Sequence, residues 1–125
     1  PTGVAARRST DVVAIDDPTV VNAIKFIRDH AHLPLRVADV TEHVSVGRRT
    51  LERRCHRALG HSLGDEIRRS HLKRARRLLA ETDISIKTLA VQSGYSNARH
   101  MAAAFQKELD LSPTAYRRQH RGKLR

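Results

Sequence analysis

Apolar residues in this chain recur every three or four positions and never alternate with period two for long enough to make a sheet. Val20, Ile24, Ile27 and Ala31 mark a first helix, opened by Asp17 as N-cap and Pro18 at the first helical position and closed at Leu33-Pro34. Val37 to Val44 is a short second helix, and Val44-Ser45-Val46-Gly47 is a turn. Arg48 to Leu59 is a third, with Leu51, Cys55, Ala58 and Leu59 inward and Gly60 placed to cap its C-terminus. Ser62, with Asp65 three residues on, starts a fourth helix that runs to about Glu81. Its apolar stripe is Ile67, Ala75, Leu78 and Leu79, with Leu72 alongside; its other face is Arg68, Arg69, Lys73, Arg76 and Arg77. Thr82–Ser85 breaks the pattern. Ile86–Ser93 is the fifth helix, Gly94-Tyr95-Ser96 a turn, and Asn97–Leu109 the sixth. Ser112-Pro113 opens a short seventh through Tyr116 and Arg117, after which His120–Arg125 reads as a frayed tail. The expectation is an all-α protein of seven helices.

The pattern also repeats. Val37, Val40 and Val44 are echoed by Ile86, Leu89 and Ser93 at a shift of 49, and Leu51, Cys55 and Leu59 by Met101, Phe105 and Leu109 at a shift of 50. Ser62-Leu63 is echoed by Ser112-Pro113. The offset grows by one between the two helices of each unit, so the second turn carries one extra residue. Such a period points to one supersecondary unit used twice, and helix-turn-helix is the shape of a DNA-reading motif. The expected organisation is a junction over 1–17, a first helix-turn-helix unit over 18–61, a linker helix over 62–82, a second unit over 83–119 and a basic tail over 120–125.

Charge says what such units bind. The chain of 125 residues carries a net charge of +11, which points to a polyanion. Residues 45–79 hold eleven basic and three acidic groups, whereas 1–44 and 80–116 are each net −1. Residues 117–125 add five basic groups. With two Phe, two Tyr and no Trp, the core must be aliphatic. One cysteine, Cys55, lies on an apolar stripe and reads as core; it allows no internal disulfide and fits a reducing cytosol. No run approaches the ~18 apolar residues of a membrane span, and no N-terminal segment resembles a signal peptide.

A recognition helix reads bases from its N-terminal end. In the first unit that end offers Arg48, Arg49, Thr50, Glu52 and Arg53, facing away from Leu51 and Cys55. Arg grips guanine with two hydrogen bonds, and Glu accepts from the cytosine amino group. In the second unit the equivalent positions are Asn97, Ala98, Arg99, His100 and Ala103. Arg99 is the obvious reader. Asn97 is either N-cap or base contact, and His100 either a DNA contact or plain surface. The first unit is therefore expected to supply most of the affinity and specificity. Arg68, Arg69, Arg76 and Arg77 are phosphate candidates, with solubility and pairing to Glu66 or Glu81 as the alternative. Ser62, Ser96 and Ser112, at turns and helix starts, are further phosphate candidates.

Gly94-Tyr95, Phe105, Ser112-Pro113 and Tyr116-Arg117, preceded by Ile84-Ser85-Ile86 and Leu89-Ala90, resemble the signature of the AraC/XylS family of bacterial transcription regulators. The resemblance covers roughly residues 19–119. It departs from the family pattern at His100-Met101, where an aromatic pair is usual, at Asp110, where Gly is usual, and at Cys55, where Phe is common. It implies base-contacting roles for Arg49, Glu52 and Arg53. It also implies that both recognition helices enter successive major grooves of double-stranded DNA, about 34 Å apart. The segment from Arg7 to Pro18 resembles the junction of the xylose-operon regulators, where a sugar-binding domain comes first. On that resemblance the chain is the C-terminal part of a sugar-responsive activator. Its effector would act only through the missing N-terminal domain, RNA polymerase would be a partner, and the fragment would be monomeric and cytoplasmic, on the nucleoid.

Other chemistry has little support. The eight His show no zinc-site spacing, and no nucleophile elbow, phosphate loop or His-Glu-x-x-His is present. No catalytic residue, metal or cofactor is expected. The alternative is non-specific binding to RNA or an anionic membrane. RNA recognition favours exposed aromatics for stacking, and the fourth helix needs its Leu/Ala/Ile stripe for the core rather than for lipid.

Overall fold

The structure is a computed structural model that describes residues 16–123, the last two by backbone alone. Among the described residues there are seven α-helices and no strand: α1 (Pro18–Asp29), α2 (Val37–Val44), α3 (Arg48–Leu59), α4 (Leu63–Glu81), α5 (Ile86–Gln92), α6 (Ala98–Leu109) and α7 (Pro113–Lys123). The junction over Arg7–Ile15 lies outside the described residues.

The helices form two compact units. The first takes the described residues up to Asp29 together with Arg36–Ile67; the second takes His30–Leu35 and the residues from Arg68 onward. The division thus falls inside the continuous α4, and residues 30–35, expected with the first unit, belong to the second.

The first unit packs α1 against α2 and α3, burying Val20, Ile24, Ile27, Val40, Leu51, Cys55 and Leu63. Asp17 caps α1 as expected, accepting from the Thr19 N–H at 3.0 Å. Ser62 caps α4 by accepting from the Asp65 N–H at 3.1 Å. Ala58, expected inside, is exposed. Leu51, Cys55 and half-buried Leu59 suffice to fill that seam of α3.

The second unit buries Ala75, Leu79, Leu89, Ala90, Tyr95, Met101, Phe105 and Tyr116 as one cluster. The Phe105 and Tyr116 rings meet edge to face, 5.8 Å apart. The turn bond from the Val46 N–H to the Thr41 carbonyl is repeated 49 residues later, from Tyr95 to Ala90. Ser96 is the extra residue, since Asn97 caps α6 as Gly47 stands before α3.

Two helix ends differ from expectation, and a third keeps its cap without glycine. The apolar period of α1 runs on to Ala31, which is buried, but the helix stops at Asp29. The next residues turn, and the Leu33 carbonyl is taken by the His71 side chain. Asp110 takes the left-handed conformation (φ 58°) that Gly60 takes in the first unit (φ 81°), with the same N–H to carbonyl cap. Its carboxylate also accepts from Gln106 Nε2 at 2.7 Å. Lastly, α7 continues to Lys123, into what read as a frayed tail. Arg117 donates to the Leu79 carbonyl at 3.2 Å and the Ile84 carbonyl at 2.8 Å, and Arg121 to the Thr82 carbonyl at 2.7 Å and to Asp83. These arginines satisfy carbonyls at the end of α4 and in the segment that follows it.

Candidate nucleic-acid interface

The outer face of α3 presents a stripe of like charge. Arg49, Arg53 and Arg57 are exposed, four residues apart, and none makes a hydrogen bond or ion pair among the described residues. Like charges at this spacing destabilise a helix by ~0.2–0.5 kcal/mol per pair. A basic stripe without counter-charges suits a polyanion arriving from outside.

The neighbouring cations are engaged. Arg48 lies 3.7 Å from Glu52. Arg54 lies 3.7 Å from Asp17 and donates to the Thr19 hydroxyl at 3.2 Å, tying α3 to the start of α1. Glu52 is more than a surface acceptor: its Oε1 accepts from the Leu63 N–H at 3.3 Å, holding the first turn of α4. Thr50 is half-buried between these groups in sequence. Cys55 is fully buried beneath the stripe. Burial, then the charges of Glu52, Glu66 and Asp17, push its thiol up to about 11, so it stays protonated.

In α6 the same stripe reads Arg99, Ala103 and Lys107. Arg99 is exposed and unpaired among the described residues. Asn97 is the N-cap: its Oδ1 accepts from the His100 N–H at 2.8 Å. His100 in turn accepts the Ser96 N–H on Nδ1 at 3.2 Å and meets the Tyr95 ring edge-on. The backbone amide of Ser96 is thereby used. Ser112 Oγ accepts from the Ala115 N–H at 3.0 Å, capping α7 as Ser62 caps α4. The Tyr95 phenol, pushed up to about 12 by burial and then by Glu108, is neutral.

On α4, Arg69 and Arg77 are exposed without partners among the described residues, while Arg68 is engaged. Arg76 donates to the Tyr116 hydroxyl at 3.2 Å and lies over its ring. Arg57 and His71 escaped the sequence reading. Arg57 had a signal, its i+4 spacing from Arg53. His71 had another, a polar residue at an inward position between Ile67 and Ala75. Among the described residues no group of three His, Cys, Asp or Glu is placed to hold a metal ion, and no helix is long and apolar enough to cross a membrane.

A family model described as a helix-turn-helix domain matches residues 40–119. A transcriptional regulator of Chromobacterium violaceum, described as AraC-type, superposes with a TM-score of 0.75 at 28% identity, over 82% of this chain and 92% of that one. The chain belongs to the AraC-type helix-turn-helix family. It is therefore a DNA-binding domain of the transcription-regulator class. The xylose operon regulatory protein of Escherichia coli K12 is 34% identical over 117 residues, 94% of this chain and 30% of that protein. The structure of the xylose-binding transcription activator xylR superposes with a TM-score of 0.76 at 31% identity, over 86% of this chain and 28% of that one. The chain thus spans about three-tenths of the length of these relatives.

Proposed function

We propose that this AraC-type domain recognises a specific duplex sequence and that its first unit supplies most of the affinity and specificity. The unpaired stripe Arg49, Arg53 and Arg57 carries this reading. Arg49 and Arg53, at the N-terminal half of α3, are assigned to guanine edges and Arg57 to a phosphate. Arg48 and Thr50 flank them. Glu52 orients α4 and keeps lone pairs for a cytosine amino group. In the second unit Arg99 is the base reader, with His100 and the Asn97 amide beside it. Ser62, Ser112, Arg68 and Arg76 are assigned to phosphates, and Ser96 through its hydroxyl, since its amide is held by His100. Both recognition helices address one duplex, in successive major grooves. The working functional divisions are 18–61, 62–82 and 83–119, with residues 30–35 counted with the second unit for packing.

The likeness to xylose regulators supports a sugar-responsive activator. In this reading a pentose-like effector acts through a preceding domain, RNA polymerase is the second partner, and the domain alone is monomeric. It binds without catalysis, in the cytoplasm on the nucleoid. Selecting bound sites from random duplex DNA tests the core of this reading. The expected result is a defined consensus whose affinity falls steeply with salt. Equal binding to random duplex, or stronger binding to RNA or anionic vesicles, would overturn it.

A further inference from the structure

Polar side chains rarely occupy an inward helical stripe without a task. His71 lies on that stripe of α4 and is 7% exposed, inside the second unit. Its Nε2–H donates to the Leu33 carbonyl at 2.8 Å. Burial lowers its pKa, so the imidazole is neutral at pH 7. The ring fills the space above Gly94, where a Cβ would come within 2.4 Å of two ring atoms and 2.8 Å of the Leu33 carbonyl. Gly94 itself sits at φ +90°, a conformation glycine takes without strain. Three pieces of the second unit therefore close on one imidazole: α4, the 30–35 segment and the turn before α6.

The contacts continue outward. The His71 ring lies 5.8 Å from that of Tyr95, tilted. Tyr95 meets His100 edge-on at 5.2 Å, and His100 holds the Ser96 N–H. His100 stands beside Arg99 in the first turn of α6. We propose that His71 is a positioning residue for DNA binding, which fixes the Gly94-Tyr95 turn and so aims Arg99 and His100. The groups facing it are the Leu33 carbonyl, the Tyr95 phenol with Glu108 beyond, and His100. The inference rests on the DNA-reading assignment above for its binding readout but not for its structural one.

Two variants of the 125-residue chain test it. His71→Leu fills the volume without a donor; His71→Gln keeps an N–H for Leu33. With His71→Leu, amide hydrogen exchange over residues 94–100 should accelerate at least ~10-fold while that of α3 is unchanged. Affinity for the selected duplex should fall about 5-fold, the scale of one lost base contact. Affinity for a duplex scrambled where the second unit binds should not change. His71→Gln should restore both. Equal loss on both duplexes, unchanged exchange, or a Gln variant that behaves like Leu would overturn the proposal. If His71→Leu fails to fold, titrating the wild-type chain from pH 7.5 to 5 decides. The Gly94 amide signal should move with the His71 imidazole; movement with His100 instead would overturn it. Wild-type chain without any sequence preference would sink the DNA-reading assignment, while the exchange data would still judge His71.

Discussion

In the first unit α3 begins after Gly47 with no side-chain cap, and its outer stripe is Arg49, Arg53 and Arg57. In the second, α6 begins after a capping Asn97, and the same stripe is Arg99, Ala103 and Lys107. Beneath those stripes the inward positions correspond residue for residue, with Leu51 and Cys55 against Met101 and Phe105. The difference separates what a duplicated fold must keep from what it is free to change. The inward residues are bound by packing. The outward ones are chosen by the partner, and of these two stripes only that of α3 is a run of mutually repelling arginines.

Substitutions at matched positions can break this comparison. The largest effect should come from the cores. Phe105→Ala should cost ~3–5 kcal/mol in denaturant unfolding, by transfer and cavity terms together. Cys55→Ala, at the matching position, should cost about 1 kcal/mol, because only a methylene-sized group is lost. Equal costs would mean that the two cores are not equivalent in the way the repeat implies.

Next come the readers. Arg53→Ala should lose ~1–3 kcal/mol on the selected site and relax preference at one position, as should Arg49→Ala. Arg99→Ala should lose less than either. If titrations give the reverse order, the second unit is the dominant reader and the charge argument fails. Equal loss on selected and random DNA would make Arg53 a phosphate contact instead.

The units should also respond to pH at opposite ends. The Cys55 thiol is raised from 9.0 to about 11 in the folded first unit. Stability there is therefore full below pH 9 and falls as pH climbs toward 11, since the unfolded chain ionises first. His71 is lowered from 6.5 in the second unit. Its contribution is complete above pH 6.5 and is lost as pH falls below that, because the unfolded chain takes the proton more readily. Unit-resolved amide exchange across pH 5 to 10 should show the second unit loosening first in acid. In alkali the first should loosen before Tyr95, raised to about 12, affects the second.

The smallest contrast is at the caps. Gly60→Ala should destabilise by about 1 kcal/mol, the cost of a side chain at positive φ. Asp110→Gly should stabilise by no more than that, since relief of strain is offset by the lost Gln106 contact. A destabilised Asp110→Gly variant would show that the side-chain bond outweighs the backbone strain.

Much of this was legible in the residue pattern. The period of Val20, Ile24 and Ile27, the caps Asp17, Ser62 and Ser112, and the shift from 49 to 50 all depend on neighbours in sequence. What local pattern could not show is distant in the chain. Residues 30–31 continue the period of α1, yet the helix ends at Asp29, and His71, 38 residues from Leu33, takes a carbonyl of the segment that follows. Arg121 looks like a tail charge, and Arg117 like the end of a short helix, until their carbonyl partners, more than 30 residues away, are placed. Glu52 reads as a groove acceptor because its bond to the Leu63 amide crosses a turn. Ala58 follows the stripe by spacing but falls just past the width of the packed seam.

The bonds from α7 have one further consequence. Arg117 and Arg121 grip main-chain oxygens of residues 79, 82 and 84, and every amino acid supplies that oxygen. Drift at Leu79, Thr82 or Ile84 therefore leaves these acceptors in being, whereas replacing either arginine removes them from use at once. At these oxygens the dependence runs one way: homologues should show arginine fixed at the clamping positions and free variation at residues 79, 82 and 84, whereas Asp83, whose side chain also meets Arg121, is a position where paired substitution should appear.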